Sequence, residues 1–219
     1  MKVLVFDTET TGLQVKGASI YDKSKWPYII QLSYIFYDLS INSVLIKDNY
    51  IKLDSSITIS QESYNIHNIS REILDARGIN IVDALKDFNE CLKVCDIVVG
   101  HNISFDKRLI FVECFRHNVK QYFTEFKDNV MIQKPEFCTM KNTNEFCKLE
   151  RLSATNKVYY KHPKLSELYE KLFPNEPLPK DLHNSLVDVA MTIRCYLKYI
   201  YNFDIKEVND TFKQLFLNF

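Results

Sequence analysis

Residues 2–6 (KVLVF) are a short apolar run stopped by Asp7, a pattern that predicts a buried strand. Residues 29–37 (IIQLSYIFY), rich in Ile and Tyr, predict a second strand. Residues 44–53 (VLIKDNYIKL) alternate less cleanly and predict a third, more exposed one. Between the first two lies Gln14–Pro27, polar and turn-rich, read as a loop over one face. From Ser60 the period lengthens to that of a helix. Ser70–Leu74 and then Val82–Val94 carry apolar residues three and four apart, as at Val82, Leu85, Phe88 and Leu92. Residues 97–100 (IVVG) predict a short strand, and Ser104–Phe115 a helix after it. Asn118–Lys134 has no decisive period, and Lys141–Pro163 is a polar, aperiodic insertion. Lys164–Phe173 and His183–Tyr199 are helical in pattern, separated by the proline-punctuated Pro174–Pro179. The tail Ile205–Phe219 is amphipathic through Val208, Phe212, Leu215 and Phe216. Strands first, then alternating helix and strand, predict an α/β fold with a mixed central β-sheet flanked by α-helices.

Composition narrows the class. A chain of 219 residues with 46% hydrophobic and 26% charged residues can bury a core of one domain, which argues against general disorder. Lys plus Arg number 28 and Asp plus Glu number 28, so bulk positive charge does not attract a nucleic acid here. A local grip on one is still compatible with that balance. Charges interrupt every apolar run well before the ~18 residues a spanning helix needs, and Asp7 comes too early for a secretory signal. The six cysteines are scattered without a close pair, which reads as reduced thiols rather than a disulfide framework. These features predict a soluble intracellular protein, of the cytoplasm or of a eukaryotic nucleus.

The acids then stand out at element ends. Asp7-Thr8-Glu9 follows the first strand, and residues two apart on an extended segment face the same side. Two like charges held together call for a cation, and oxygen ligands suit hard divalent ions such as Mg²⁺ or Mn²⁺. The alternative is a surface turn of acids and threonines before Gly12. Asp106 falls in the first turn of the helix after residues 97–100, where sites gather in α/β sheets but where an acid also favours the helix dipole. His183 and Asp188 open the last long helix, on one cleft or on one solvated face.

Together the three segments read Asp-x-Glu, His-Asn-x-x-x-Asp and His followed five residues later by Asp. In order and spacing they resemble the DEDDh branch of the DnaQ-like 3′–5′ exonucleases, typified by polymerase III epsilon subunits. Trp26–Leu32, Ile66–Ser70, Cys138–Lys141 and Pro163–Leu168 are similar to connecting segments of that family. The resemblance implies an RNase H-like exonuclease domain over residues 1–200; it leaves 201–219 unassigned, and their amphipathic pattern predicts a helical tail packed on the same domain. It implies that Asp7, Glu9, Asp106 and Asp188 bind two Mg²⁺ or Mn²⁺ ions, and that His183 is the general base toward the attacking water. Thr10, Leu13, His67, Asn102 and Phe105 are then the implied contacts to the substrate end. The expected partner is a nucleic-acid 3′ end, foremost single-stranded DNA, with RNA as the alternative. A proofreading role beside a polymerase, self-association and a silent binding module are the remaining readings. Asn68 and Ser185 replace the Gly and Ala common in relatives, departures expected to bear on substrate fit.

Overall fold

The structure is a computed structural model describing residues 1–219. Strands β1 (Lys2–Thr10), β2 (Ile29–Asp38) and β3 (Ser43–Tyr50) come first. Helices α1 (Gln61–His67), α2 (Arg71–Arg77) and α3 (Ile81–Val94) then cross to β4 (Ile97–Gly100), followed by α4 (Ile103–Arg116). A hairpin of β5 (Thr124–Lys127) and β6 (Val130–Gln133) precedes β7 (Glu136–Cys138). Short α5 (Thr139–Asn142) and α6 (Asn144–Cys147) lead to a second hairpin, β8 (Glu150–Leu152) and β9 (Val158–Tyr160). Helices α7 (Leu165–Leu172), α8 (Ser185–Tyr201), α9 (Ile205–Val208) and α10 (Asp210–Leu217) complete the chain.

The central sheet has the order β3-β2-β1-β4-β7. The tight connection between β2 and β3 makes them antiparallel, as β1 and β2 are. The helical crossover to β4 makes that strand parallel to β1, and β7 is parallel to β4. Alternation along β1 then sorts its side chains between two layers. Leu4 and Phe6 join Leu85, Phe88 and Leu109 of α3 and α4, while Val3 and Val5 join Ile193 of α8 and Phe212 of α10. A one-residue slip would exchange the two cores, so the register is strongly specified.

Two aperiodic stretches have a common cause. Asn118–Lys134 contains the β5–β6 hairpin, turning at Asp128 (φ 51°) and Asn129 (φ 63°), and Lys141–Pro163 contains β8–β9. Both hairpins are exposed, so neither needs the polar–apolar alternation that burial of one face imposes. The helix expected from His183 begins at Ser185 instead. The Asn184 side chain accepts the Leu186 amide (3.0 Å) and caps it, leaving His183 in a left-handed turn at φ 66°. In the tail, Ile205 and Phe212 are fully buried against α8.

Arg194 of α8, 0% exposed, ties this side together. Its Nε donates to Asp204 (2.9 Å) and its other nitrogens donate to Glu176 (3.1 and 3.0 Å), Asp204 and Tyr169. Phe173 and Phe216 flank the guanidinium at 4.1 and 4.5 Å. Thus one cation anchors both the Pro174–Leu182 loop and the tail to α8. Arg194→Ala leaves Asp204 buried without a counter-charge and should cost about 3–5 kcal/mol by urea unfolding. Adding Asp204→Asn should recover part of that loss; an additive double variant would show that the two groups do not couple.

Candidate active site

The site forms where β1 ends against the start of α8. Asp7 and Glu9 continue the odd-numbered face of β1, the face that α8 covers. Ser185 joins the two elements directly. Its hydroxyl donates to the Asp7 carbonyl (2.8 Å) and its amide to Gln31 Oε1 (3.2 Å) on β2. Gln31 lies opposite Glu9, and its Nε2 donates to Asp48 (2.7 Å), which also accepts the Ser33 hydroxyl (2.8 Å). With α8 held this way, Asp188 in its first turn faces the two acids of β1. Asp7, Glu9 and Asp188 each offer an oxygen within 4.8 Å of the others.

Asp106 comes from the other side of the sheet, on α4. Its Oδ1 accepts both the hydroxyl (2.7 Å) and the amide (3.2 Å) of Thr8, the even-numbered neighbour between Asp7 and Glu9. Asp106 therefore lies beside the trio rather than within it, with Oδ2 left free of these bonds. None of the four acids takes part in an ion pair with Lys, Arg or His. Burial, then repulsion from Asp106, Asp188 and Glu9, holds the Asp7 carboxyl well above its usual range. Burial followed by Asp188 and Asp106 pushes Glu9 up to about 9. Asp106 and Asp188 rise to about 7, again chiefly by burial, with hydrogen bonds from Thr8 and from the His183 backbone opposing the shifts. An all-oxygen set with uncompensated charge is the chemistry of a hard divalent cation site.

A cleft of roughly 640 Å³ opens over Asp7 and Asp188, lined among others by His183, Asn102, His162 and Lys164. His183 is exposed at its rim, the left-handed turn placing it there rather than on the helix face. Asn102 also adopts a left-handed conformation (φ 65°), and its side chain makes no capping bond to α4. The other substrate candidates differ in freedom. Leu13 is 83% exposed, whereas Phe105 packs on the main core. Thr10 is buried, its hydroxyl donating to the Gly12 carbonyl (2.7 Å). His67 is buried too; its Nδ1 accepts the Ile69 amide (2.9 Å), and burial lowers its basicity.

Other residues acquire roles that spacing did not disclose. Asn68 is the left-handed C-cap of α1 (φ 55°), a position an asparagine tolerates, and Ser185 is fully buried. Both side chains thus serve the scaffold. His101, pushed down to about 4 by burial, stays neutral and bridges the Thr139 hydroxyl (2.9 Å) and the Pro163 carbonyl (3.1 Å). Spacing did not disclose the roles of Gln31 and Thr8, although a glutamine inside an Ile- and Tyr-rich strand is a buried polar group that needs partners.

Comparison with known proteins follows the same residues. Residues 4–196 match the RNase_T exonuclease family. Over 141 residues the chain is 27% identical to a PolC-type DNA polymerase III of Pediococcus pentosaceus, covering 64% of this chain and 9% of that protein. E. coli Exonuclease I in complex with a dT13 oligonucleotide superposes with a TM-score of 0.65 at 15% identity, over 90% of this chain and 41% of the other. Exonuclease I of Methylocaldum szegediense gives 0.62 at 16% identity, over 94% and 42%. The chain spans less than half the length of each of these proteins, and the shared fold is the RNase H-like one. Because the family match takes in both acids of β1, Asp106, His183 and Asp188, the chain belongs to the RNase_T exonucleases, within the DnaQ-like 3′–5′ exonuclease family.

Proposed function

We propose that this chain removes 5′-mononucleotides from nucleic-acid 3′ ends, with single-stranded DNA as its preferred substrate. The observation that carries the reading is the trio Asp7, Glu9 and Asp188, within 4.8 Å and without a cationic partner, of which Asp7 and Asp188 line an open cleft. Asp7, Glu9, Asp106 and Asp188 would hold two Mg²⁺ or Mn²⁺ ions. When bound, such ions stabilise the attacking and leaving oxygens of an in-line phosphodiester displacement. His183 accepts the proton of the attacking water from the rim of the cleft. Asn102 and Leu13, whose side chains are free, meet the terminal sugar and base. Thr10 and His67 shape the rim, with the Thr10 hydroxyl and His67 Nδ1 engaged internally, and Phe105 supports it from the core. The solved Exonuclease I complexes carry dT13 and dA16 oligonucleotides, which supports a single strand over a duplex. Ile205 and Phe212 are spent on this domain's own core, which favours a self-contained exonuclease over a tail that docks on a polymerase.

Activity should require a free 3′ end. With Mg²⁺ or Mn²⁺, a linear 5′-labelled oligonucleotide should shorten stepwise from its 3′ side while a circular single strand persists. Parallel RNA substrates rank the two sugars, and efficient cutting of the circle would overturn the reading in favour of an endonuclease.

Stability should report the acids without a nuclease assay. Their folded-state pKa values lie above the unfolded values of about 4, so the native chain binds more protons between about pH 4 and 9. Metal-free stability is therefore greatest at the acidic end of that window and falls as pH rises through it. In EDTA the melting temperature should decline from about pH 5 to pH 9, and Mn²⁺ should restore it at the upper end. Asp7→Asn should flatten this decline, hold or raise metal-free stability and abolish turnover. Wild-type activity in that variant would remove Asp7 from the metal site.

His183→Ala should lower kcat by about 10² to 10⁴-fold while leaving Mn²⁺ binding and 3′-end binding near wild type. Full turnover in that variant would make His183 a structural residue of the turn.

A further inference from the structure

The insertion between α6 and α7 carries chemistry that the cleft does not use. Residues 148–164 hold Lys148, Arg151, Lys157, Lys161 and Lys164 against the single acid Glu150, in a chain whose total charge is zero. The β8–β9 register places these groups. Arg151 pairs with Tyr159, while Glu150 pairs with Tyr160 and Leu152 with Val158. Directly opposed residues share a face of the ribbon. The Ser153 amide donates to the Lys157 carbonyl (2.9 Å), which extends the ladder and puts Lys157 on the Arg151–Tyr159 face. That face is thus two cations and one aromatic ring, with Tyr159 50% exposed and both cations exposed. Neither Arg151 nor Lys157 has an acidic partner in the fold.

We propose that this face of the β8–β9 hairpin is a guide for the single strand that leads into the cleft. The inference rests on the nuclease reading above. The ribbon is rooted firmly. The Lys161 amide donates to the Leu149 carbonyl (2.9 Å), the Asn144 side chain to the Tyr160 carbonyl (3.2 Å), and Lys161 Nζ to Glu167 (2.6 Å). His162, Pro163 and Lys164 then run straight into the cleft lining, where His101 holds the Pro163 carbonyl. At most ~18 Å of chain separates Tyr159 from Lys164, so a strand of a few nucleotides spans both. The physical need is electrostatic. Asp7 and Asp188 in the cleft lining, with Glu9 beside them, repel the polyanion, and cations just outside retain the strand while the terminal nucleotide enters. Arg151 and Lys157 match phosphates, and Tyr159 offers a stacking platform tolerant of base identity. The β5–β6 hairpin has no such claim: it sets the single cation Lys127 against two acids, Glu125 and Asp128, and its exposed side chains are mostly apolar.

The test uses the full chain, with Arg151→Ala/Lys157→Ala and Tyr159→Ala as variants. These side chains are exposed, so thermal melting should match wild type. Fluorescence anisotropy in EDTA measures the affinity of a labelled thymidylate dodecamer over a range of salt. Each variant should weaken binding on the order of tenfold, and the double variant should reduce the slope of log Kd against log salt by about 1.4, or ~0.7 per lost phosphate contact. With Mn²⁺, KM for the dodecamer should rise by the same factor with kcat unchanged. Hydrolysis of the p-nitrophenyl ester of thymidine 5′-monophosphate, which reaches only the cleft, should not change. Wild-type affinity and salt slope in both variants would overturn the guide. A wild-type protein that cleaves neither substrate would instead overturn the nuclease reading, while the anisotropy arm still decides what the ribbon binds.

Discussion

The joint between Ser185 and the end of β1 is the contact on which the rest of this site depends. One hydroxyl on the Asp7 carbonyl and one amide on Gln31 seat the first turn of α8 over the odd-numbered face of the strand. Without that seat Asp188 would belong to an ordinary amphipathic helix, and Asp7 and Glu9 to a surface turn. Ser185 is fully buried, so it can only act by joining elements. Its partner Gln31 is equally buried and is itself oriented by Asp48, which makes β3 a remote support of the acids.

Electrostatics explains why such a site can persist in a chain with no net charge. Two of the acids, Asp106 and Asp188, sit at helix starts, where the helix dipoles and hydrogen bonds from Thr8 and the His183 backbone partly offset the repulsion. The remaining repulsion is held by the two cores on either side of β1, whose packing leaves the strand no alternative register. Cations appear only at the margin, on the ribbon and at Lys164. Attraction for a polyanion and repulsion of its phosphates are thus separated in space by the length of a short loop.

Asparagine takes the place that glycine holds in most turns. The sequence has only four glycines, yet Asn42, Asn68, Asn102, Asn118, Asn129, Asn156 and Asn202 all adopt positive φ. An asparagine tolerates the left-handed region because its short polar side chain bonds locally. Two of these positions, Asn68 and Asn202, end helices. Stop signals based on glycine are therefore weak along this chain. His183 is different, since its left-handed turn costs energy that Asn184 capping and the cleft must offset.

Much of this was legible in one dimension. The apolar run ending at Asp7, the Ile- and Tyr-rich second strand and the three- and four-residue spacing of Val82–Leu92 specify a mixed α/β sheet, because burial on defined faces imposes a period. The resemblance carried by Asp7, Glu9, Asp106, His183 and Asp188 likewise implied that the acids and histidine form one set. Sequence could not show that Asp106 would bond Thr8 from the opposite layer while Asp188 closed the trio, since that depends on which face each helix covers. Nor could periodicity find the two hairpins, because exposed ribbons bury no face and so carry no alternation. The joining roles of Ser185, Gln31 and His101 were decided only in the tertiary structure: hydrogen bonds between residues 38 to 178 positions apart leave no mark on either one's local pattern.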